Sequence, residues 1–468
     1  MKISGFNKKH WFAIILLGIF VSLLMGFFTL KHLHGEKITD ETRTVFIKNT
    51  DKGFQLFRNG SPFYIQGASG NSHFEELSSI GGNTIRVFDT INIQHILNEA
   101  QKNNLAVIVD IPLPKYTTKF NSYLNEEENK VLKKKIRALV NKYKTHPALL
   151  MWNLGNEIHY PIVLYKRTLV NFFSKSFFRQ ENNFIKFYNE LIDIVHDEDP
   201  NHPVGTTLIA IDSTIEIESI YLNSPEIDLL SFNIFAKIKA FNFNSPRISF
   251  LFGPKPYYIS EWGPDGHWES DYTAWKAPVE PTSTKKAEQV KERSELISKI
   301  NDGTCLGNLI FYWGQKQEIS HTWFSIFDDK GRKSQSYYEL QNSWTNQSGK
   351  TISAPQMRYM LVEDKGARDN LVFKPNEIKK AEIFLDGEID STLEYKWEIY
   401  EENWNYYGAN AKQKLTKKIS DCFESIDGCK VMFRVPKIEG PYRIFAFVYD
   451  QHGNFASTNT PFYVLNPK

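Results

Sequence analysis

A chain of 468 residues exceeds what one hydrophobic core sustains, because cores stop growing near roughly 250–300 residues, so one large domain with additions is expected. Its 56 basic and 54 acidic residues leave a net charge of +2, too little for the basic field that a phosphate backbone demands, which excludes nucleic acid as a partner. Aromatic residues make up 14% of the chain, with 10 Trp and 22 Tyr, a composition that suits sugar-stacking surfaces and equally suits thick aromatic cores.

In chain order, the first feature is the uncharged apolar run Trp11 to Leu30. At about 1.5 Å per residue a helix of that length reaches across a hydrocarbon core of about 30 Å. It is longer than the 7 to 15 apolar residues typical of a signal peptide, and neither an A-x-A pattern nor a Cys follows it. An uncleaved transmembrane helix is therefore expected, favoured over a cleaved signal. Residues 1–36 would then be the cytoplasmic arm and anchor (11–30), residues 37–53 a linker, and the remainder would stand outside the cytoplasm, periplasmic or extracellular. Lys2, Lys8 and Lys9 before the run and Lys31 and Lys37 after it leave the orientation to rest on the shortness of the N-terminal arm.

From residue 54 short apolar runs alternate with stretches of helical period, the pattern of repeated βα units. Strands are expected at Phe63–Gly67, Thr84–Phe88, Leu105–Ile111, Leu149–Leu154, Val204–Ile209, Asp228–Ile234, Tyr257–Ser260 and Leu309–Trp313, and helices at Ile93–Asn103, Glu126–Tyr143, Asn183–Asp197 and Lys285–Ile300. Strands in that number over residues 54–344 match a (β/α)8 TIM barrel, whereas an open doubly wound sheet lacks its Gly-rich phosphate turn here. Two connections are long: 158–182, with Tyr160, Tyr165, Phe172, Phe173, Phe177 and Phe178, and 264–284, with Trp268, Tyr272 and Trp275. Such loops at a barrel's C-terminal rim usually carry function, although the first also reads as a membrane-facing patch.

After a polar linker at 345–353, alternating runs such as Ala381–Leu385, Leu393–Tyr400, Val431–Val435 and Tyr442–Val448 predict a β-sandwich (Ig-like) domain over 354–468. Trp404, Tyr406 and Tyr407 offer it a sugar-binding surface, though a spacer role is favoured. The fold class is thus α/β: a TIM barrel with an N-terminal transmembrane helix and a C-terminal β-sandwich. Of the 3 cysteines, Cys422 and Cys429 flank the Asp427-Gly428 turn signal and are candidates for a small disulfide loop, while Cys305 reads as a buried thiol.

The chemistry concentrates at two strand ends. Leu149-Leu150-Met151-Trp152-Asn153-Leu154 delivers Gly155, Asn156 and Glu157 to the rim where barrel active sites form, and Tyr257-Tyr258-Ile259-Ser260 delivers Glu261, Trp262 and Gly263. Retaining glycosidic cleavage needs two carboxyl groups about 5 to 5.5 Å apart, one to protonate the leaving oxygen and one to attack the anomeric carbon. Either glutamate alone reads as an ordinary strand-to-helix junction; the pair is what points to catalysis. Arg86, inside the second strand, needs a buried anion, with Glu261 and Asp110 as the alternatives. Trp313 at the last strand's end is either a sugar platform or a barrel plug, and Trp262 and Trp268 are further candidates for sugar contact.

The Trp152–Glu157 and Ile259–Gly263 motifs, with Asp199-Pro200-Asn201-His202-Pro203 between them and Tyr312-Trp313-Gly314 after, resemble the catalytic barrel of glycoside hydrolase family 2 and its wider clan over about residues 54–344. The resemblance implies Glu157 as acid/base, Glu261 as nucleophile, Asn156 as the sugar 2-hydroxyl contact and Arg86 as support for the nucleophile. It departs at Phe235, where relatives commonly place a tyrosine that hydrogen-bonds the nucleophile. The family's usual N-terminal sandwich domains find no room in residues 31–53, between the apolar run and the barrel's first hairpin at Phe54–Tyr64.

The function expected is a retaining glycoside hydrolase acting on a β-linked glycan by double displacement, with an oligo- or polysaccharide as substrate. The alternatives are a transglycosidase remodelling an exported or cell-envelope polysaccharide and a catalytically inactive glycan-binding membrane protein. No cofactor is expected, and the 12 histidines show no ligand spacing such as H-E-x-x-H, so no metal is expected either.

Overall fold

The computed structural model describes residues 17–18, 41–114, 125–162, 175–209, 214–240, 253–300, 302–345, 354–387, 391–402 and 415–466. Among the described residues no helix is long and apolar enough to cross a membrane, and the Trp11–Leu30 run lies outside them except for Leu17 and Gly18. Trp404, Tyr406 and Tyr407 also lie outside them, as do residues 163–174 of the first long connection.

The chain begins its regular structure with an antiparallel meander of β1 (Val45–Thr50), β2 (Gly53–Arg58) and β3 (Ser61–Phe63). The stretch expected as linker, 37–53, therefore contains β1. The expected first barrel strand also moves: Phe63 closes the meander, and the barrel opens at Ile65. Period-2 alternation does not distinguish a capping strand from a barrel strand, because both bury one face. The meander's Val45, Ile47 and Leu56 pack with Ile65, Ala106, Ile108, Leu150, Met151, Leu229 and Leu309 in one cluster, sealing the N-terminal end of the barrel.

Eight parallel strands then close on themselves: β4 (Ile65–Gly70), β5 (Thr84–Val87), β6 (Ala106–Ile111), β7 (Leu149–Asn156), β8 (Val204–Ile209), β9 (Leu229–Asn233), β10 (Tyr257–Trp262) and β11 (Cys305–Trp313), with β11 pairing β4. The structure is a (β/α)8 barrel, as expected from the alternating pattern. Helices α1 (Phe74–Ser79), α2 (Ile93–Lys102), α3 (Glu126–Tyr143), α4 (Lys175–Glu198), α5 (Thr214–Asn223), α6 (Ser283–Ile297) and α7 (Gln335–Thr345) surround it, and a 3-10 turn, Ala236–Ala240, follows β9. Two starts are legible in side chains: Asn125 accepts from the Glu127 and Glu128 amides, and Thr282 from the Lys285 amide. The Asp199–Pro203 motif is structural. Its Asp199 carboxylate accepts from the Trp152 indole and from His202, both at 2.8 Å, and so ties the outer face of β7 to the turn entering β8.

Beyond α7, β12 (Gln356–Val362), β13 (Val372–Phe373), β14 (Ile378–Asp386), β15 (Glu394–Glu401), β16 (Phe423–Asp427), β17 (Lys430–Arg434), β18 (Gly440–Tyr449) and β19 (Phe455–Val464) form two four-stranded sheets, β12-β14-β17-β16 and β13-β19-β18-β15. Met357, Ile383 and Phe433 from one sheet meet Trp397, Ile444 and Phe462 from the other in a shared core, the arrangement of a sandwich. All three cysteines are free thiols. In the β16–β17 hairpin Asp427 pairs with Lys430 at the turn, whereas Cys422 sits at the far end, where its carbonyl accepts from the Arg434 amide. At about 3.3 Å per residue that spacing far exceeds the ~7 Å Cα limit for a disulfide, so the expected Cys422–Cys429 loop is excluded by strand register.

Candidate active site

The C-terminal rim of the barrel holds a cavity of about 700 Å³. Asn156 and Glu157 from β7 and Glu261 from β10 line it together, with Asp110 at its floor. The local fold aims each group. On β7, Trp152 and Leu154 face the helices and Asn153 faces the barrel axis, where it donates to Asp110 at 2.9 Å. The strand ends in a reversal: Gly155 has φ 83°, and a Cβ there would lie 2.6 Å from the Ile158 side chain. Glu157 follows with φ 52°, a left-handed conformation that a side-chain-bearing residue holds only at a cost of order 1 kcal/mol, so the surrounding structure fixes it.

One guanidinium connects the site. Arg86, fully buried on β5, donates to Glu261 Oε1 at 3.0 Å, to Asp110 at 2.6 and 3.0 Å, to Asn156 Oδ1 at 2.8 Å and to Thr207 Oγ1 at 3.1 Å. The two alternatives for its partner are both realised, because a planar fork with five N–H groups serves two carboxylates at once. Glu157 is reached from the other side: Asn233 at the end of β9 donates to Glu157 Oε1 at 2.9 Å and accepts from Ser260 at 2.8 Å. Since Asn233 is also the register partner of Glu261, one strand end orients both glutamates.

Burial raises the Glu261 carboxyl to about 8; Arg86 opposes this, Glu157 adds to it and Lys316 opposes it again. Burial likewise raises Asp110 against the pull of Arg86. The charge-assisted bond at 3.0 Å favours the Glu261 anion while burial favours the acid, and burial prevails. Because the folded value exceeds the ordinary one, the cost of burying this anion is absent below about pH 4.5 and fully present above about pH 8. Glu261→Gln should therefore gain stability relative to wild type between pH 5 and pH 9, by up to about 4 kcal/mol at about 1.4 kcal/mol per pKa unit. Urea midpoints for both proteins across that range check it, and parallel curves would refute it.

Of the expected aromatic contacts, Trp268 alone reaches the cavity, about half exposed on the loop after β10. Trp262 is fully buried behind β10, its indole donating to Asn308 at 2.9 Å, because side chains alternate along a strand and Glu261 takes the inward position. Trp313 is also fully buried, donating to the His73 carbonyl at 3.0 Å and packed against Phe327 and Tyr337, so it is neither a sugar platform nor an axial plug. Tyr160 bonds Ser224 inside the core. Trp262→Ala and Trp313→Ala should each cost about 3–5 kcal/mol of stability. Trp268→Ala should change stability by less than about 1 kcal/mol, because its side chain is half exposed at the cavity, and urea denaturation separates the two classes.

Residues that the motifs did not reveal supply much of the wall, among them Asn71, Phe88, Asp89, Phe311, Lys316, Gln317 and Glu318, and Tyr312, named only as part of a motif, joins them. Tyr312 was within reach of strand parity, since it alternates with Trp313. Lys316 and Glu318 lie on the loop after β11, for which period carries no signal. Phe235 occupies its expected place, edge-on to Trp268 and Phe311 at 5.2 and 5.8 Å. Among the described residues, the side-chain donor to Glu261 is Arg86.

No family model matches the sequence, and no curated protein is similar to it. Among solved structures, the endo-β-1,4-mannanase from Thermotoga petrophila is 13% identical, with 87% of this chain and 99% of that one covered at a TM-score of 0.40. The Bacteroides uniformis β-glucuronidase is 13% identical, covering 90% of this chain and 48% of that one at 0.47. The Dictyoglomus thermophilum β-D-glucuronidase is 18% identical, covering 65% and 53% at 0.47. The chain thus spans about half the length of these glucuronidases and nearly all of the mannanase.

Proposed function

We propose that this chain is a retaining glycosidase acting on a β-linked glycan. The observation that carries the reading is the pairing of Glu157 and Glu261 in one rim cavity, wired by Arg86 to one carboxyl and by Asn233 to the other. The ionised Glu261 attacks the anomeric carbon while Glu157 gives its proton to the departing glycosidic oxygen, leaving a glycosyl ester on Glu261. Glu157 then takes a proton from the acceptor, whose oxygen displaces Glu261. Asn156, its Oδ1 held by Arg86, keeps its amide N–H groups for a sugar hydroxyl.

Transglycosylation is a second reading, favoured by the wall of Phe88, Phe235, Trp268, Phe311 and Tyr312, which keeps water scarce at the ester while an acceptor sugar can stack. Anchoring through residues 11–30, with the barrel outside the cytoplasm, completes the proposal and rests on the apolar run alone. Trapping with a series of activated 2-fluoro glycosides, followed by mass mapping, tests it: label on Glu261 is expected, and label elsewhere or none across the series would overturn it. β-Glucan, β-mannan and β-galactan oligosaccharides then separate hydrolysis from transfer, by shorter or longer products of retained configuration.

A further inference from the structure

Two loops build the open side of the cavity: residues 263–282 after β10, with Trp268, and residues 314–334 after β11, with Lys316 and Glu318. Both carry apolar anchors, Ala277 on the first and Ile319, Trp323 and Phe324 on the second packing in one cluster, and both are densely hydrogen-bonded besides. Lys316 donates to Glu318 at 2.5 Å, Glu318 lies 3.5 Å from His267, and the His267 ring meets Trp268 edge-on at 4.8 Å. Two residues beyond Glu318, Ser320 Oγ donates at 2.5 Å to Glu280, a buried carboxylate at the end of the other loop. Glu280 also accepts from Thr322 Oγ1 at 2.8 Å, from Lys286 on α6 at 2.6 Å and from Asn459 on β19 at 2.7 Å.

The last of these crosses into the sandwich. Asn459 in turn accepts from Arg443, 1% exposed on β18, at 2.6 Å; the same guanidinium donates to Glu402 at 2.8 Å and to the Pro278 carbonyl of the first loop at 2.8 Å. Beside this network His321 sits among the rings of Tyr400, Phe445 and Phe447, at 5.1, 4.6 and 5.9 Å. A buried carboxylate with four donors from three segments has one low-energy arrangement, so each segment fixes the others. Although burial works against its charge, Lys286 and Arg443 keep Glu280 below the usual carboxylate range, so it stays ionised at neutral pH.

We infer that the C-terminal sandwich is part of the cavity's construction, with Asn459 and Arg443 as positioning residues that hold Trp268 and the Lys316–Glu318 pair against the paired glutamates. The spacer role expected from sequence would need a thin, polar contact between the domains, and the observed one is buried and charged. The catalytic consequence rests on the glycosidase reading; the mechanical one does not.

The test uses the full chain carrying Asn459→Ala, with Ser320→Ala as a second variant that severs the same carboxylate from the loop side. Hydrogen exchange by mass spectrometry should show at least about tenfold faster exchange in peptides covering 264–282 and 314–324, with β4–β11 and the sandwich strands unchanged. The rate of 2-fluoro glycoside labelling should fall about tenfold. In a Trp268→Ala background Asn459→Ala should add little to that loss, because both act through the same wall. Faster exchange confined to the sandwich strands, unchanged loops in both variants, or fully additive labelling losses would each overturn the inference. If wild-type protein takes no label at all, the glycosidase reading fails, and the exchange pattern still decides whether the sandwich clamps the loops.

Discussion

Glu261→Gln is expected to lower turnover by at least about 10⁴-fold on every glycoside, since the amide can neither attack the anomeric carbon nor carry the developing charge. Glu157→Gln should behave differently, and the difference identifies the roles. With a poor leaving group, such as another sugar, loss of the proton donor costs about 10²–10⁴-fold. With a dinitrophenyl leaving group, which departs as a stable anion, the first step needs little protonation and should survive. The glycosyl ester then accumulates because no base activates water, and added azide should release it as a glycosyl azide of retained configuration. Steady-state kinetics on both substrate classes with product NMR read all of this out. A Glu157→Gln variant as impaired on the activated substrate as on the natural one would remove the acid/base assignment. Because burial raises Glu261 to about 8, kcat/KM of the wild type on the dinitrophenyl substrate, which needs no proton from Glu157, should climb as the pH rises toward 8, the range over which the nucleophile loses its proton.

The second large effect belongs to Arg86. Its guanidinium serves Asp110, Glu261, Asn156 and Thr207 from a fully buried position, so Arg86→Met strands two carboxylates in the barrel without their cation. Breaking a buried ion pair from one side costs about 3–5 kcal/mol, and here the loss falls on two partners. Arg86 lowers both carboxyls, so removing it raises each further above its ordinary value. A carboxyl raised in the fold destabilises at high pH and is neutral at low pH, which means the deficit of Arg86→Met should be largest above about pH 8 and should shrink as pH falls toward 5. Urea unfolding at the two ends of that range measures it. A deficit independent of pH would mean that packing, not charge, is what Arg86 supplies. Arg86→Lys should recover little activity, because a single ammonium cannot bridge both carboxylates in the geometry of the planar fork.

The same residues show how far the chain could be read without coordinates. Period and strand spacing located all eight barrel strands, because a closed parallel sheet buries both faces and writes near-continuous apolar runs, such as Ala106–Ile111, interrupted by Asp110, and Leu149–Leu154, interrupted by Asn153. Helical period placed the starts of the helices at Glu126 and Ser283 to within two residues. Motif spacing was enough to nominate Glu157, Glu261, Asn156 and Arg86, since each stands at the C-terminal end of a strand or interrupts its apolar pattern. Parity along a strand would have moved Trp262 and Trp313 out of the site: once Glu261 faces inward, its neighbour cannot.

What no local pattern carried was contact between distant segments. Of the meander under the barrel, the first strand was read as linker and the other two as the barrel's own first hairpin, because three short strands alternate no differently from any edge hairpin. The separation of Cys422 from Cys429 depended on hairpin register, which a turn signal alone does not specify. The sandwich looked like a spacer because the partners of Glu280 and Arg443 lie more than a hundred residues away in the chain for Asn459 and Pro278. Sequence by itself determined which elements form and which carboxyls reach the rim, since those follow from nearest-neighbour sterics and periodic burial. Only the tertiary structure decided which wall encloses them, because a buried charge is satisfied by whichever donors the fold brings within 3 Å, and that is a property of packing rather than of spacing.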